Sequence, residues 1–166
     1  MTPSRPTLGS LLRHLIELLD GDVEAAYRAA GLDYRPRFTP VVRVLGELGP
    51  SPIRTIAARA GITHSAASQT VAEMVKKGLV ATEPGEDARE RIVHLTDAAR
   101  ALLPRLKAQW AATNAAADGL SAELGLDLPD IVSAAIARLQ ARPFLDRIEA
   151  ERRRLEDCNP TEGTDE

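Results

Sequence analysis

Side chains able to hydrogen-bond a partner concentrate in two short stretches, Thr63 to Gln69 and Asp87 to Arg91, and neither has the make-up of a catalytic centre. The chain has no Gly-x-Ser-x-Gly elbow, no Gly-x-x-x-x-Gly-Lys loop and no Gly-x-Gly-x-x-Gly opening a helix. Nor do paired carboxylates frame a plausible cleft. His14, His64 and His94 are far apart and show neither His-x-x-x-His nor His-Glu-x-x-His spacing. The single cysteine, Cys158, sits in the polar tail DCNPTEGTDE with no second thiol for a disulfide or a Cys-based metal site. The expectation is therefore a protein without catalysis, metal or cofactor. The chemistry left is recognition by hydrogen bonds and charge.

The net charge of −3 conceals a strong asymmetry. Residues 35 to 107 hold 12 Lys and Arg against 7 Asp and Glu, a balance of +5, while the flanks hold 9 against 17, a balance of −8. A basic centre between acidic flanks is the pattern of a DNA-reading module on an acidic scaffold. At 166 residues the chain can form one compact domain, or a small domain plus helices that pair it with a second copy. With only 3% aromatic residues, its apolar mass is Leu, Ile, Val and Ala, which suits close-packed helices. The apolar runs are broken every few residues by charge, and MTPSRPTLGS has no apolar run behind its charge, so a soluble cytoplasmic protein is expected.

The elements that must position the polar side chains follow from periodicity. Leu8, Leu11, Leu12, Leu15, Ile16, Leu19, Val23, Ala26 and Tyr27 define an amphipathic helix to about residue 30, with a weak point at Asp20-Gly21-Asp22 and a stop at Gly31. Asp33 to Phe38, rich in Pro and Arg, reads as a linker. Thr39-Pro40 supplies a cap and first-turn proline for a helix to Leu48, and Ser51-Pro52 does the same for IRTIAARAG. The next helix starts near His64, with Ala67, Val71, Met74 and Val75 inward and Ser65, Ser68, Gln69, Ala72 and Glu73 outward. Leu79 to Thr82 and Ile92 to Leu95 are β-prone runs around a charged tip, the pattern of a hairpin. Thr96 caps a helix that fades near Asp118-Gly119. A last helix from about Pro129 buries Ile131, Ala135, Ile136 and Leu139, and Pro143 breaks it before EAERRRLED.

Helix, glycine turn, second helix and hairpin together have a physical logic for DNA. The second helix fits the major groove, and the hairpin reaches sideways to a neighbouring groove. IAARAGITHSAASQTVAEMVKKGLV followed by DARERIVHLT resembles the winged helix of the multiple-antibiotic-resistance repressor (MarR) family of bacterial regulators. The resemblance rests on Gly61-Ile62-Thr63, Val71, Met74, Lys77-Gly78-Leu79-Val80, and Asp87-x-Arg89 with Leu95-Thr96 across the wing. It implies a mainly α fold with a small β-hairpin wing, a winged helix-turn-helix flanked by dimerisation helices. On that layout residues 1–36 and 106–157 form the dimerisation layer, 37–105 the DNA-binding lobe and 158–166 a disordered tail.

The resemblance further implies a role for each position. Thr63, His64, Ser65, Ala66, Ser68 and Gln69 face base edges and phosphates, with Gln69 suited to adenine. Arg89 reaches the minor groove from the wing, oriented by Asp87. The bland alternative is an exposed Asp87–Arg89 ion pair. Many family members carry Arg or Lys where this chain has Gln69, Ala72 and Glu73, so phosphate contact falls to Arg54, Lys76, Lys77, Arg89 and Arg91. Fewer cationic contacts mean a shallower salt dependence.

A homodimer on a pseudo-palindromic operator follows, because one copy reads too few base pairs. The family also implies a small aromatic or anionic effector, for which Arg13, His14, Arg43 and Trp110 are the candidates. No cysteine stands in the N-terminal helix, where the family's peroxide sensors carry one. The expected function is a small-molecule-responsive repressor. The alternative is a winged helix used for protein contact, with weak or no DNA binding.

Overall fold

The computed structural model describes residues 5–85 and 90–158, among which lie seven α-helices and three short strands. Helix α1, Leu8–Ala29, starts at Thr7, whose hydroxyl accepts the Ser10 N–H at 3.2 Å. It runs unbroken through Asp20-Gly21-Asp22 and stops at Gly31, whose φ of +65° is open to glycine at little cost.

The segment from Asp33 to Phe38 is not the loose linker its composition implies. Tyr34 and Phe38 are buried, and Pro36–Phe38 forms a 3-10 turn that runs straight into α2, Thr39–Leu48. Thr39 therefore lies inside helical geometry rather than capping it: its N–H already bonds the Pro36 carbonyl.

Helices α3, Ile53–Ala60, and α4, His64–Lys76, are joined through Gly61, φ +66°. That left-handed residue lets the Gly61 and Ile62 N–H groups close on Ala58 and Ala57 carbonyls, ending α3 in a tight turn. The Thr63 hydroxyl then caps α4 by accepting the Ala66 N–H at 3.1 Å.

Ser51-Pro52 was expected to cap α3, and it does not. Its two residues form a strand, β1, and the Ser51 hydroxyl donates to the Gly49 carbonyl at 3.1 Å. β1 adds to the expected hairpin of β2, Val80–Pro84, and β3, Arg91–Leu95, giving an antiparallel sheet in the order β1-β3-β2. Val80 pairs with Leu95, Thr82 with Val93 and Pro84 with Arg91. Pro52 and Pro84 are on the two outer strands, where a missing N–H costs no ladder bond that the sheet needs.

The core fills the space between α2, α3, α4, the sheet and the start of α5, Asp97–Leu124. Phe38, Val41, Ile56, Ala67, Met74 and Val93 are 0% exposed. Val75 turns away from this core at 42% exposure, because one residue past Met74 is about 100° further round the helix. Thr96 ties three elements at once: its hydroxyl donates to the Gly78 carbonyl at 2.7 Å and accepts the Ala99 N–H at 3.1 Å, while its own N–H reaches the Leu79 carbonyl.

Two compact units divide the chain, Met1–Thr113 and Asn114–Glu166. α5 does not fade at Asp118-Gly119 but continues to Leu124, where Gly125 at φ +65° stops it. The second unit also contains α6, Leu128–Ala141, capped by Asp127, and α7, Phe144–Cys158, after a break at Arg142-Pro143. Ile131, Ala135, Ile136 and Leu139, expected to be a buried face of this helix, are exposed in the single chain. An apolar stripe at helical spacing is buried only if something covers it, and among the described residues nothing covers this one. α7 takes in Cys158; the rest of the tail, 159–166, lies outside the described residues.

Three rings anchor the join between α1 and α2. Tyr27 and Tyr34 meet edge to face at 5.0 Å, and Tyr34 and Phe38 at 5.6 Å. The buried Tyr34 hydroxyl has no hydrogen-bond partner among the described residues. Burial pushes its ionisation above the ordinary tyrosine range.

Two outcomes follow for stability. Ile56→Ala, which empties a site with no solvent exposure, should cost about 2–5 kcal/mol in urea unfolding. Tyr34→Phe removes a hydroxyl that gains nothing from the fold, so stability at neutral pH should hold or rise. Above about pH 10 the unfolded phenol ionises while the buried one stays protonated, so the wild type loses stability as pH climbs. Tyr34→Phe should lack that component of the loss when unfolding is compared across the same pH range.

Candidate nucleic-acid interface

Helix α4 is held by one face and offers the other. Ala67, Thr70, Val71 and Met74 are buried, and Ser65, Gln69, Ala72 and Lys76, opposite them at helical spacing, are all exposed. Thr63 and His64 are exposed at the N-terminal end, where the helix dipole favours an anion. Ala66 and Ser68 are half-buried at the margins of the exposed row. A narrow row of small polar side chains with a rigid back can approach base edges closely, and it supplies hydrogen bonds rather than charge.

Glu73, expected to face outward, is instead tied to the chain before α2. It accepts Arg35 Nη1 at 2.9 Å and is also bonded by Arg37. Lys77 Nζ lies 2.6 Å from both carboxylate oxygens of Asp33. These pairs span 36 to 44 residues, so no spacing rule could have announced them. Of the cations assigned to phosphate, Lys77 is thus engaged with Asp33 and Arg54 with Glu90 at 3.0 Å, whereas Lys76 stands exposed on the open row.

The wing is paired up to its tip, with the Gly85 N–H donating to the Glu90 carbonyl at 2.9 Å. Arg91 reaches across to the Thr82 hydroxyl at 3.3 Å. Asp87 and Arg89 lie outside the described residues.

The four effector candidates separate into two pairs. Arg43 places its guanidinium 5.5 Å from the Trp110 ring centre, and the Trp110 indole N–H donates to the Tyr27 hydroxyl at 3.0 Å. That hydroxyl is 3.5 Å from the Thr39 hydroxyl, so α1, α2 and α5 meet at a polar seam that sequence reading did not include. Arg13 and His14 instead project to solvent from α1, with His14 near Glu17 at 3.9 Å.

Comparison with known proteins gives this geometry a context. Residues 38–90 match the model of the MarR family, and no curated protein matches the chain. The M. tuberculosis transcriptional regulator MosR, solved in complex with DNA, is similar with a TM-score of 0.65 at 24% identity, over 82% of this chain and 96% of that one. The transcriptional repressor CouR, bound to a 23-mer DNA duplex, gives 0.60 at 24% identity, over 81% and 92%. PcaV from Streptomyces coelicolor, with its natural ligand, gives 0.58 at 20% identity, over 84% and 98%. The matched segment takes in α2, β1, α3, α4 and β2, and the similarity of fold extends over at least 81% of the chain in all three comparisons.

Proposed function

We propose that this protein is a sequence-specific DNA-binding transcriptional regulator, a homodimeric repressor whose grip a small molecule relieves. The observation that carries the reading is the exposed row Ser65, Gln69, Ala72 and Lys76 on a helix fixed by its opposite face, beside a paired wing. Gln69 and Ser65 read base edges, Thr63, His64 and Ser68 serve the backbone near the helix N-terminus, and the wing brings Arg89 with Asp87 to the minor groove. MosR and CouR, similar in fold, were solved on DNA. The DNA it would read places the protein in the cytoplasm; among the described residues no helix is long and apolar enough to cross a membrane.

Pairing of two copies is supported by what one copy leaves bare. Leu8, Leu11, Leu12, Leu15 and Leu19 of α1 are exposed, as are Ile131, Ile136, Leu145 and Ile148 in the second unit. Rows of this length on a lone chain mark an interface. Arg43 and Trp110 are the contacts proposed for an aromatic or anionic effector, since a guanidinium against an indole can take a carboxylate and a ring together. PcaV was solved with its natural ligand.

One observation favours the second reading, a winged helix for protein contact. Lys76 is the lone cation in the open row of α4, while Arg54 and Lys77 each pair with a carboxylate of the same chain, Glu90 and Asp33.

Binding of the purified protein to duplexes tiling the DNA upstream of its own coding sequence distinguishes the two. The regulator should select one duplex, and Arg89→Ala and Gln69→Ala should each weaken it by about 1–3 kcal/mol. No preference over random duplex at low salt would favour protein contact.

A further inference from the structure

We propose that Arg35 and Arg37, outside the segment matched by the family model, form a second phosphate-binding site that holds the DNA backbone beside the groove entered by α4, with Glu73 orienting both side chains. The inference rests on the reading of α4 as the groove-reading helix.

Two guanidiniums converge on one carboxylate, Arg35 on Oε1 and Arg37 on Oε2 of Glu73. The carboxylate neutralises one of them and leaves a surplus positive charge. Each guanidinium has five N–H donors, so a bond to Glu73 leaves most of its fork free. The exposures are ordered accordingly: the Glu73 side chain is 23% exposed, while those of Arg35 and Arg37 are 47% and 54%. The anion thus lies beneath and the cations face solvent.

Arg37 is also steadied by the Phe38 ring, 5.9 Å away, and Phe38 is wholly buried. Both forks are therefore preorganised before any partner arrives, and a planar fork suits two phosphate oxygens.

Placement supplies the partner. Glu73 follows Ala72 in sequence and lies about 40–60° round α4 from Gln69 and Lys76. When the open row faces base edges in a groove about 12 Å wide, the Glu73 side of the helix faces one sugar-phosphate strand. Asp33 and Lys77 nearby balance each other, so the net charge of this flank comes from Arg35, Arg37 and Lys76 against Glu73. Bracing of α4 alone is a weak reason for the arrangement, since exposed ion pairs contribute little to stability.

The test is the salt dependence of binding to a random duplex, which reports phosphate contacts whether or not an operator exists. The variants are Arg35→Gln with Arg37→Gln, and Glu73→Gln, each checked for folding by circular dichroism. Loss of two phosphate contacts should flatten the slope of log affinity against log salt by about 1.8. Between about 50 and about 200 mM salt, the double variant should lose about 12-fold less affinity than wild type loses. Glu73→Gln keeps both guanidiniums and removes the anion, so it should bind at least as tightly as wild type with no flatter slope.

A double variant with the wild-type slope overturns the proposal. So does a Glu73→Gln variant weakened as much as the double variant, because that pattern marks a brace. A wild type that binds random duplex but selects no upstream duplex removes the regulator reading and leaves the arginine result standing; a wild type that binds no duplex at low salt removes both.

Discussion

Whatever the open row of α4 can do depends on its closed row having no freedom. Ala67 is completely buried, and Met74, also completely buried, and Val71, nearly so, pack with Ile56 of α3 and the sheet residue Val93 in one core. A helix gripped along one face cannot roll, and 100° of roll would replace Ser65, Gln69 and Lys76 with a different set of side chains. Gly61 and Thr63 serve the same end at the helix start: the glycine permits the sharp turn, and the threonine fixes where the first turn begins. At the exit, Thr96 ties the Gly78 carbonyl to the end of the sheet and the start of α5. Specific recognition needs such rigidity, because hydrogen bonds to base edges reward only side chains that arrive already aimed.

What could be read from the sequence was whatever depends on local order. Helical spacing gave α1, α3 and α4, and β-prone runs around a charged tip gave the hairpin. The turn at Gly61 and the caps at Thr63 and Thr96 follow from residue type alone. What escaped was whatever depends on partners distant in the chain. Ser51-Pro52 looks like a helix start, and only the presence of β3 beside it makes it a strand. The Asp33 to Phe38 segment looks loose because Pro and Arg are common in linkers, yet Tyr34 and Phe38 bury their rings and the arginines find Glu73.

Helix α4 shows the same division. Its exposed polar residues were evident from periodicity, apart from Glu73, whose outward assignment failed because an anion one step round the helix had arginines waiting for it. Val75 failed in the other direction: as a valine it belonged inside, but its angular position put it out. Ile131, Ala135, Ile136 and Leu139 were read as a buried face from their apolar spacing, within a segment assigned to dimerisation, and in the single chain they are exposed.

The leucine row of α1, with Leu8 at 68% exposure, has a consequence for the cell as well as for the fold. A chain that left such a row bare would be open to chaperones and proteases until something covered it, and coverage by the proposed second copy would depend on how many copies exist. Abundance would then set stability: scarce molecules are degraded fastest, and accumulation protects them. A threshold in supply would thus be written into turnover rather than into DNA affinity.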